Sequence, residues 1–95
     1  MPSDSTYATE AKITGRVQGV AFRAWTRSRA RSLQLTGWVR NDPTGSVSAR
    51  FQGEKKAVET MLTELWTGPA AASVRDVQSD AVDPDPTLAS FDILR

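Results

Sequence analysis

Hydrophobic and polar residues alternate along residues 8–14, so that Ala11 and Ile13 fall on one side of the chain. Alternation with a period of two is typical of a β-strand with one buried face. After a glycine-containing break, apolar residues recur every three or four positions, which predicts a helix over 22–33. Residues 1–7 are mostly polar and show neither period, so we expect them to form a flexible tail.

The rest of the chain divides in the same way into strands at 36–41, 46–52, 74–82 and 88–94 and a helix at 55–66. A short turn with one proline and one glycine separates the first two of these strands, which is typical of an antiparallel hairpin. Val74 and Val77 are three residues apart, so both can face the core only if their strand contains a bulge.

This succession of elements predicts an α+β fold. The order β-α-β-β-α-β is that of a ferredoxin-like sandwich, in which an antiparallel sheet carries two helices on one face, and here a C-terminal strand is added. A chain of 95 residues is sufficient for one hydrophobic core and not for two, so we expect residues 8–95 to form a single domain.

The loop between the first strand and the first helix is typical of an anion site. It reads Gly15, Arg16, Val17, Gln18, Gly19, Val20, Ala21, Phe22, Arg23. Its glycines permit a tight turn, and the backbone N–H groups from Gln18 to Phe22 can converge where the helix dipole adds partial positive charge. The guanidinium of Arg23 can reach back over the loop and hold two oxygens of a phosphoryl group.

Two better-known phosphate motifs do not fit this loop. No Lys-Ser or Lys-Thr pair follows the glycines, which excludes a Walker A loop, and the glycine spacing differs from the dinucleotide-binding fingerprint. Arg27 and Arg31 continue from Arg23 at a spacing of four residues, and we interpret both as part of a solvated helix face.

Asn41 is a second candidate for the site because it ends a strand that the predicted topology brings near the loop. Its carboxamide has an acceptor and two donors, and is suited to holding a water molecule in line with a bound phosphorus. Asparagine also tolerates unusual turn conformations, so the residue alone leaves a structural role open.

The amino-acid composition excludes several classes of catalytic and metal-binding chemistry. The chain has no cysteine and no histidine, which excludes disulfides, thiol nucleophiles, Ser-His-Asp catalysis and most zinc sites, and we expect no metal and no cofactor. No apolar run reaches the length of a membrane span, and the N-terminus lacks a signal-peptide pattern. We therefore expect a cytoplasmic protein without a membrane partner.

Charge is distributed unevenly although the net charge is only +1. Residues 1–56 contain ten Lys and Arg against four Asp and Glu, whereas residues 57–95 contain two against seven, so the two parts carry +6 and −5. The positive part includes the glycine loop, where it can steer a small anion towards the site, although a lopsided solvated surface explains the same numbers.

Two segments resemble the signatures of the acylphosphatase family. The first is residues 15–23, and the second is residues 37–41 followed by Gly45-Ser46-Val47; Glu54 after a glycine and Gly68-Pro69 also match. The resemblance extends over residues 9–95 and implies the ferredoxin-like sandwich predicted above.

The resemblance also implies an activity, the hydrolysis of the carboxyl-phosphate bond of small acyl phosphates to carboxylate and inorganic phosphate without a metal. It implies that Arg23 and the 16–21 loop bind the phosphoryl group and that Asn41 orients the attacking water. A carboxylate is a good leaving group, so the reaction needs positioning and charge stabilisation rather than a general acid, and the absence of histidine agrees with it. We expect a monomer whose partners are the acyl phosphate and inorganic phosphate.

Three positions depart from the family's pattern. Gln34 stands where members often carry glycine, and a left-handed backbone there would cost roughly 1 kcal/mol. Thr26 stands where members often carry a larger apolar residue. The chain ends in Arg95 rather than an aromatic residue, which leaves open whether the C-terminus contacts the site.

Two other functions remain as alternatives. The first is a non-catalytic module of the same shape that senses an anion or handles carbamoyl phosphate. The second is nucleic-acid binding on the sheet, which the basic first part and the three tryptophans permit, although no strand pair offers two stacking platforms. We expect no nucleic-acid partner.

Overall fold

The computed structural model describes residues 6–95. Its elements are β1 (Thr6–Arg16), α1 (Phe22–Ser32), β2 (Thr36–Asn41), β3 (Val47–Glu54), α2 (Lys55–Leu65), β4 (Ser73–Val82) and β5 (Phe91–Ile93). The predicted α+β sandwich with an added C-terminal strand is confirmed. Of the tail predicted at 1–7, residues 1–5 lie outside the described part of the chain, and Thr6 and Tyr7 belong to β1.

The five strands of residues 6–95 form one sheet in the order β4-β1-β3-β2-β5. β1 pairs antiparallel with both β3 and β4, and β2 pairs antiparallel with β3. The added strand β5 instead runs parallel to β2 at the sheet edge. Helix α1 packs on β2 and β5, and helix α2 packs on β1 and β3. Neither helix has the length and apolar character needed to cross a membrane.

The hydrophobic core lies between the sheet and the two helices. Its fully buried side chains come from alternate positions of the strands and from one face of each helix, and include Ile13, Val39, Val47, Phe51, Phe22, Val58, Met61 and Leu65. Alternation along β2 puts Asn41 on the same face as Val39, which is the face covered by α1. Asn41 is therefore presented to the helix side of the sheet.

The bulge predicted from the valine spacing is present in β4. Its pairing with β1 shifts after Thr14, which leaves Arg75 without a partner residue and puts Val74 and Val77 on the core side. Gly15 lies at this shift with φ 121°, and a Cβ there would lie 2.3 Å from a carbonyl oxygen of β4. The close approach therefore requires glycine at this position.

The predicted strands and helices occur in the structure in the predicted order, but several of them begin or end at other residues than predicted. β1 extends beyond the predicted range 8–14, because it pairs with β3 from Thr6 onwards and with β4 as far as Arg16. β5 covers three residues rather than the predicted 88–94, since it pairs only with residues 37–39 of β2. Pairing between strands that are distant in sequence sets these ends.

Helix α1 is closed by a left-handed residue, Gln34, whose φ is 61°. The backbone N–H of Leu35 donates to the carbonyl of Ala30 at 2.9 Å, and the N–H of Gln34 donates to the carbonyl of Arg31 at 3.0 Å. These bonds satisfy carbonyls that a helix end otherwise leaves open. Glycine is favoured over glutamine in this backbone conformation, so the end of α1 is closed at some cost in stability.

Candidate active site

The loop between β1 and α1, residues 17–21, is shaped by one buried anchor and two left-handed residues. The side chain of Val17 is buried in the core. Gly19 has φ 75° and Ala21 has φ 62°, and Ala21 is also the N-cap residue of α1. Alanine rarely adopts this conformation, so the chain holds strain where it enters the helix.

The backbone N–H groups of this loop and of the first helical turn are free. From Gln18 to Ala24, none of them donates to an acceptor within residues 6–95. The first helical bond runs from the N–H of Trp25 to the carbonyl of Ala21, at 3.0 Å. The first turn carries no acidic side chain that could compete for these donors. Because a helix N-terminus also carries partial positive charge, this end of α1 is suited to an anion.

The side chain of Gln18 joins the loop to the turn between β2 and β3. Its amide nitrogen donates to the carbonyl oxygens of Asp42 and Ser46, at 2.9 and 2.8 Å. The side chain thus positions the loop, and it is the backbone N–H of Gln18 that stays available to a ligand. The sequence offers no local signal for this role, because the two partners are 24 and 28 residues away.

The carboxylate of Asp42 fixes the same turn. It accepts hydrogen bonds from the hydroxyls of Ser46 and Ser48, at 2.8 and 2.6 Å, and from Nε of Arg40 at 3.4 Å. Partial burial raises the pKa of this carboxyl, but the hydrogen bonds from the two serines and the arginine outweigh burial and lower the pKa below its ordinary value. The turn that follows Asn41 is therefore held by an ionised carboxylate at neutral pH.

Asn41 ends β2 with a half-buried side chain. Its carboxamide makes no hydrogen bond to any of the described residues, so its acceptor and its donors are open. The backbone around it is fixed by the pairing of Asn41 with Val47 and by the N–H of Asp42, which donates to the carbonyl of Ser46 at 2.9 Å. A free polar side chain on a fixed backbone can hold a water molecule in a defined place.

Arg23 lies in the first turn of α1, directly after Phe22, whose buried ring fixes the start of the helix. The guanidinium makes one long contact, from Nη1 to the carbonyl oxygen of Leu94 at 3.5 Å. It forms no ion pair with a carboxylate of residues 6–95. Its remaining donors are available to an oxyanion.

Arg23 and Asn41 line one cleft, which has a volume of about 410 Å³. Its lining consists of Val17, Gly19, Ala21, Phe22, Arg23, Ala24, Arg27, Asn41, Ile93 and Arg95. The loop and α1 form one side of the cleft, and the ends of β2 and β5 form the other. The fold thus brings together the two side chains that the sequence singled out on separate elements.

Three residues of the predicted 16–21 loop do not line the cleft. Arg16 is exposed at the end of β1, Gln18 is bound to the β2–β3 turn, and Val20 packs partly against the core. A binding role for Gln18 and Val20 rests on their backbone N–H groups, which have no acceptor within residues 6–95. The side chain of Arg16 has no such support, and its role stays a prediction.

Three residues of the cleft were not expected there, namely Ala24, Arg27 and Ile93, and Arg95, whose contact with the site the sequence left open, also lines the cleft. The interpretation of Arg27 as solvated surface is wrong, since its half-buried side chain lines the cleft. Helical side chains tilt towards the N-terminus, and this tilt directs Arg27 over the turn that contains Arg23. Arg31 is exposed, as interpreted.

The sequence gives no local signal for Ile93 and Arg95, which reach the cleft through the parallel pairing of β5 with β2.

The cleft is positively charged. Among the described residues 6–95, its lining contains three arginines and no Asp or Glu. Within the described part of the chain, no group of three or more His, Cys, Asp or Glu side chains could hold a metal ion. Fold and site together define a class of protein, a ferredoxin-like α+β sandwich in which a helix N-terminus, an arginine and a carboxamide meet at one positively charged cleft.

Acylphosphatases share this combination of fold and sequence. The family model described as Acylphosphatase matches residues 9–93. The acylphosphatase of Rhizobium meliloti is 50% identical over 88 residues, which cover 93% of this chain and 93% of the relative. The structure of an acylphosphatase from Coxiella burnetii has a TM-score of 0.93 at 31% identity, over 99% of this chain and 100% of that chain. This chain belongs to the acylphosphatase family of hydrolases.

Proposed function

We propose that this chain hydrolyses the carboxyl-phosphate bond of small acyl phosphates. A water oxygen attacks phosphorus in line with the leaving group, a new P–O bond forms, and the P–O bond to the acyl group breaks. The electron pair of the broken bond stays on the carboxylate, and the products are the carboxylate and inorganic phosphate. The name of the curated relatives supports this reaction class, since the match covers nearly their whole length.

The phosphoryl group is bound by Arg23 and by the loop of residues 16–21 together with Phe22. The support is the row of backbone N–H donors from Gln18 to Ala24, which have no acceptor within residues 6–95 and lie at the positive end of a helix. These donors are in place before the substrate arrives. Charge that develops on the phosphoryl oxygens is therefore stabilised without reorganisation of the protein.

Asn41 orients the attacking water. Its free carboxamide lines the same cleft as Arg23, on a backbone that pairing with β3 holds in place. The carboxamide oxygen accepts a hydrogen bond from the water, so that a lone pair of the water points at phosphorus. Positioning of this kind lowers the barrier and leaves the protonation state of the asparagine unchanged.

No protein side chain has to take up or supply a proton in this mechanism. Among the described residues, the cleft lining contains no Asp or Glu, and the whole chain has no histidine. The phosphoryl oxygens accept the proton of the water as the new bond forms. The leaving carboxylate is a weak base and departs without protonation, so a general acid is not needed.

The observation that carries the proposal is that Arg23 and Asn41 line one cleft, beside the loop whose backbone N–H groups have no acceptor within residues 6–95. If Asn41 served only the turn, its carboxamide would be expected to bond to the neighbouring backbone, as asparagine side chains do in turns. Instead, the carboxamide has no partner within residues 6–95, and the turn is held by Asp42 and Gln18. The asparagine is thus free for a role in the cleft.

Hydrolysis of benzoyl phosphate tests the proposal, with Arg23→Ala as the variant. We expect turnover by the unaltered protein and a loss of at least about a hundredfold in kcat/KM for Arg23→Ala, because the cation that holds the phosphoryl oxygens is removed. Arg31→Ala is the matched control, since Arg31 is an exposed arginine of the same helix outside the cleft. We expect this control to keep full activity.

Two outcomes would contradict the proposal. Equal activity of Arg23→Ala and the unaltered protein would show that Arg23 takes no part in the reaction. Tight binding of inorganic phosphate without any turnover would instead favour the non-catalytic anion-binding module. The cytoplasmic location and the monomeric state are separate predictions, which this assay does not test.

A further inference from the structure

The cleft contains more positive charge than one phosphoryl group requires. Its lining includes Arg23, Arg27 and Arg95, and no acidic side chain from the described part of the chain. In the proposed binding mode, Arg23 and the backbone N–H row already hold the phosphoryl oxygens. Arg27 is therefore left in the cleft without a role in binding that group.

Arg27 is half-buried and has no partner of its own. It forms no hydrogen bond and no ion pair with any residue of the described range 6–95. Arg29 on the same helix behaves differently, since it donates two hydrogen bonds to the carboxylate of Glu64, at 2.7 and 3.1 Å. An unpaired guanidinium inside a cleft is a ready site for a carboxylate from outside the protein.

The helix sets the distance between the two arginines. Arg27 follows Arg23 by one turn of α1, which separates the origins of their side chains by roughly 6 Å. The side chain of Arg27 starts one turn further along α1 and tilts back over the turn that contains Arg23, so its guanidinium lies beside a phosphoryl group whose oxygens Arg23 and the N–H row already hold. A group bound by Arg27 would therefore belong to the acyl end of the substrate.

We propose that Arg27, together with Arg95, forms a second subsite that selects acyl phosphates whose acyl group carries a carboxylate. This inference rests on the proposed hydrolysis, because it names the substrate class of the same cleft. Ala24 and Ile93 also line the cleft and supply apolar surface for the carbon skeleton between the two anionic ends. A substrate of this class carries a second anionic group beside the phosphoryl group, and the lining offers more than one guanidinium to bind the two.

Two substrates that differ only in one carboxylate test the subsite, benzoyl phosphate and 4-carboxybenzoyl phosphate. The ratio of their kcat/KM values measures the preference for the carboxylate. We expect the unaltered protein to prefer 4-carboxybenzoyl phosphate and Arg27→Gln to lower this preference about fivefold, mainly through KM. Arg27→Lys keeps the charge and is expected to keep part of the preference. Arg31→Gln, on the exposed face outside the cleft, is expected to keep all of it.

A second measurement separates the subsite from the hydrolysis. Benzoylphosphonate and 4-carboxybenzoylphosphonate bind without turnover, and calorimetry gives the ratio of their dissociation constants for the same four proteins. If neither acyl phosphate is hydrolysed but Arg27→Gln still lowers the phosphonate ratio, the subsite stands and the proposed hydrolysis fails. An unaltered protein without a preference, or an Arg27→Gln protein with an unchanged ratio, would overturn the subsite.

Discussion

At the scale of single residues, the hydroxyls of Thr9 and Thr26 are buried and have no hydrogen-bond partner within residues 6–95. Such a hydroxyl loses its hydrogen bonds to water on folding and forms none within the protein, which lowers the stability of the fold by about 1 to 3 kcal/mol. Thr26 lies in α1, on the face packed against the sheet, at a position where acylphosphatases often carry a larger apolar residue. The hydroxyl is therefore a local defect in the core beneath α1.

Valine at position 26 replaces this hydroxyl with a methyl group of nearly the same volume. We expect Thr26→Val to raise the free energy of unfolding by about 1 kcal/mol in a urea titration. Thr60→Val is the matched control, because the hydroxyl of Thr60 already donates to the carbonyl of Lys56 at 3.0 Å, and we expect no stabilisation there. A Thr26→Val protein less stable than the unaltered one would show that the hydroxyl has a partner, such as a buried water.

At the scale of elements, helix α1 has a left-handed residue other than glycine at each end. Ala21 at its start has φ 62°, and Gln34 after its end has φ 61°. Ala21 lines the cleft, whereas Gln34 is exposed and lies outside the cleft. Strain at the start lies at the proposed phosphoryl site, whereas strain at the other end lies away from it.

Glycine at position 34 relieves the strain at that end of the helix. We expect Gln34→Gly to raise the free energy of unfolding by about 0.5 to 1 kcal/mol, the remainder after the entropy of glycine in the unfolded chain is subtracted. Ser28→Gly is the control, since Ser28 is exposed in the interior of α1, where we expect a loss of about 0.5 kcal/mol. Thermal or urea unfolding measures both. If Gln34→Gly were less stable than the unaltered protein, residue 34 would not be the source of strain.

At the scale of the whole molecule, the elements and their order follow from the sequence, because the hydrophobic periods are clear. The bulge in β4 can also be predicted from the sequence, because both Val74 and Val77 face the core only if one additional residue interrupts the alternation of the strand. The ends of β1 and β5 do not follow from the sequence. They depend on which distant residues each strand pairs with, and such pairing leaves no local pattern.

The candidate site is predictable where one continuous segment forms it. The 16–21 loop and Arg23 are such a segment, and Asn41 stands out as the end of a strand with its own pattern. Arg27 could not be recognised, because helical spacing alone does not tell which stripe faces a cleft that another element completes. The same holds for Gln18, whose side chain binds a turn 24 residues further along the chain. Contacts between distant segments decide these roles.

In the proposed mechanism, the fold joins two separate tasks in one cleft, with Arg23 holding the phosphoryl group and Asn41 placing the water. The most direct test measures two quantities on one preparation of Asn41→Ala, the dissociation constant of inorganic phosphate and kcat for benzoyl phosphate. We predict that the dissociation constant changes by less than about threefold while kcat falls by at least about a hundredfold. An Asn41→Ala protein that keeps kcat within about threefold of the unaltered protein would contradict this division of tasks.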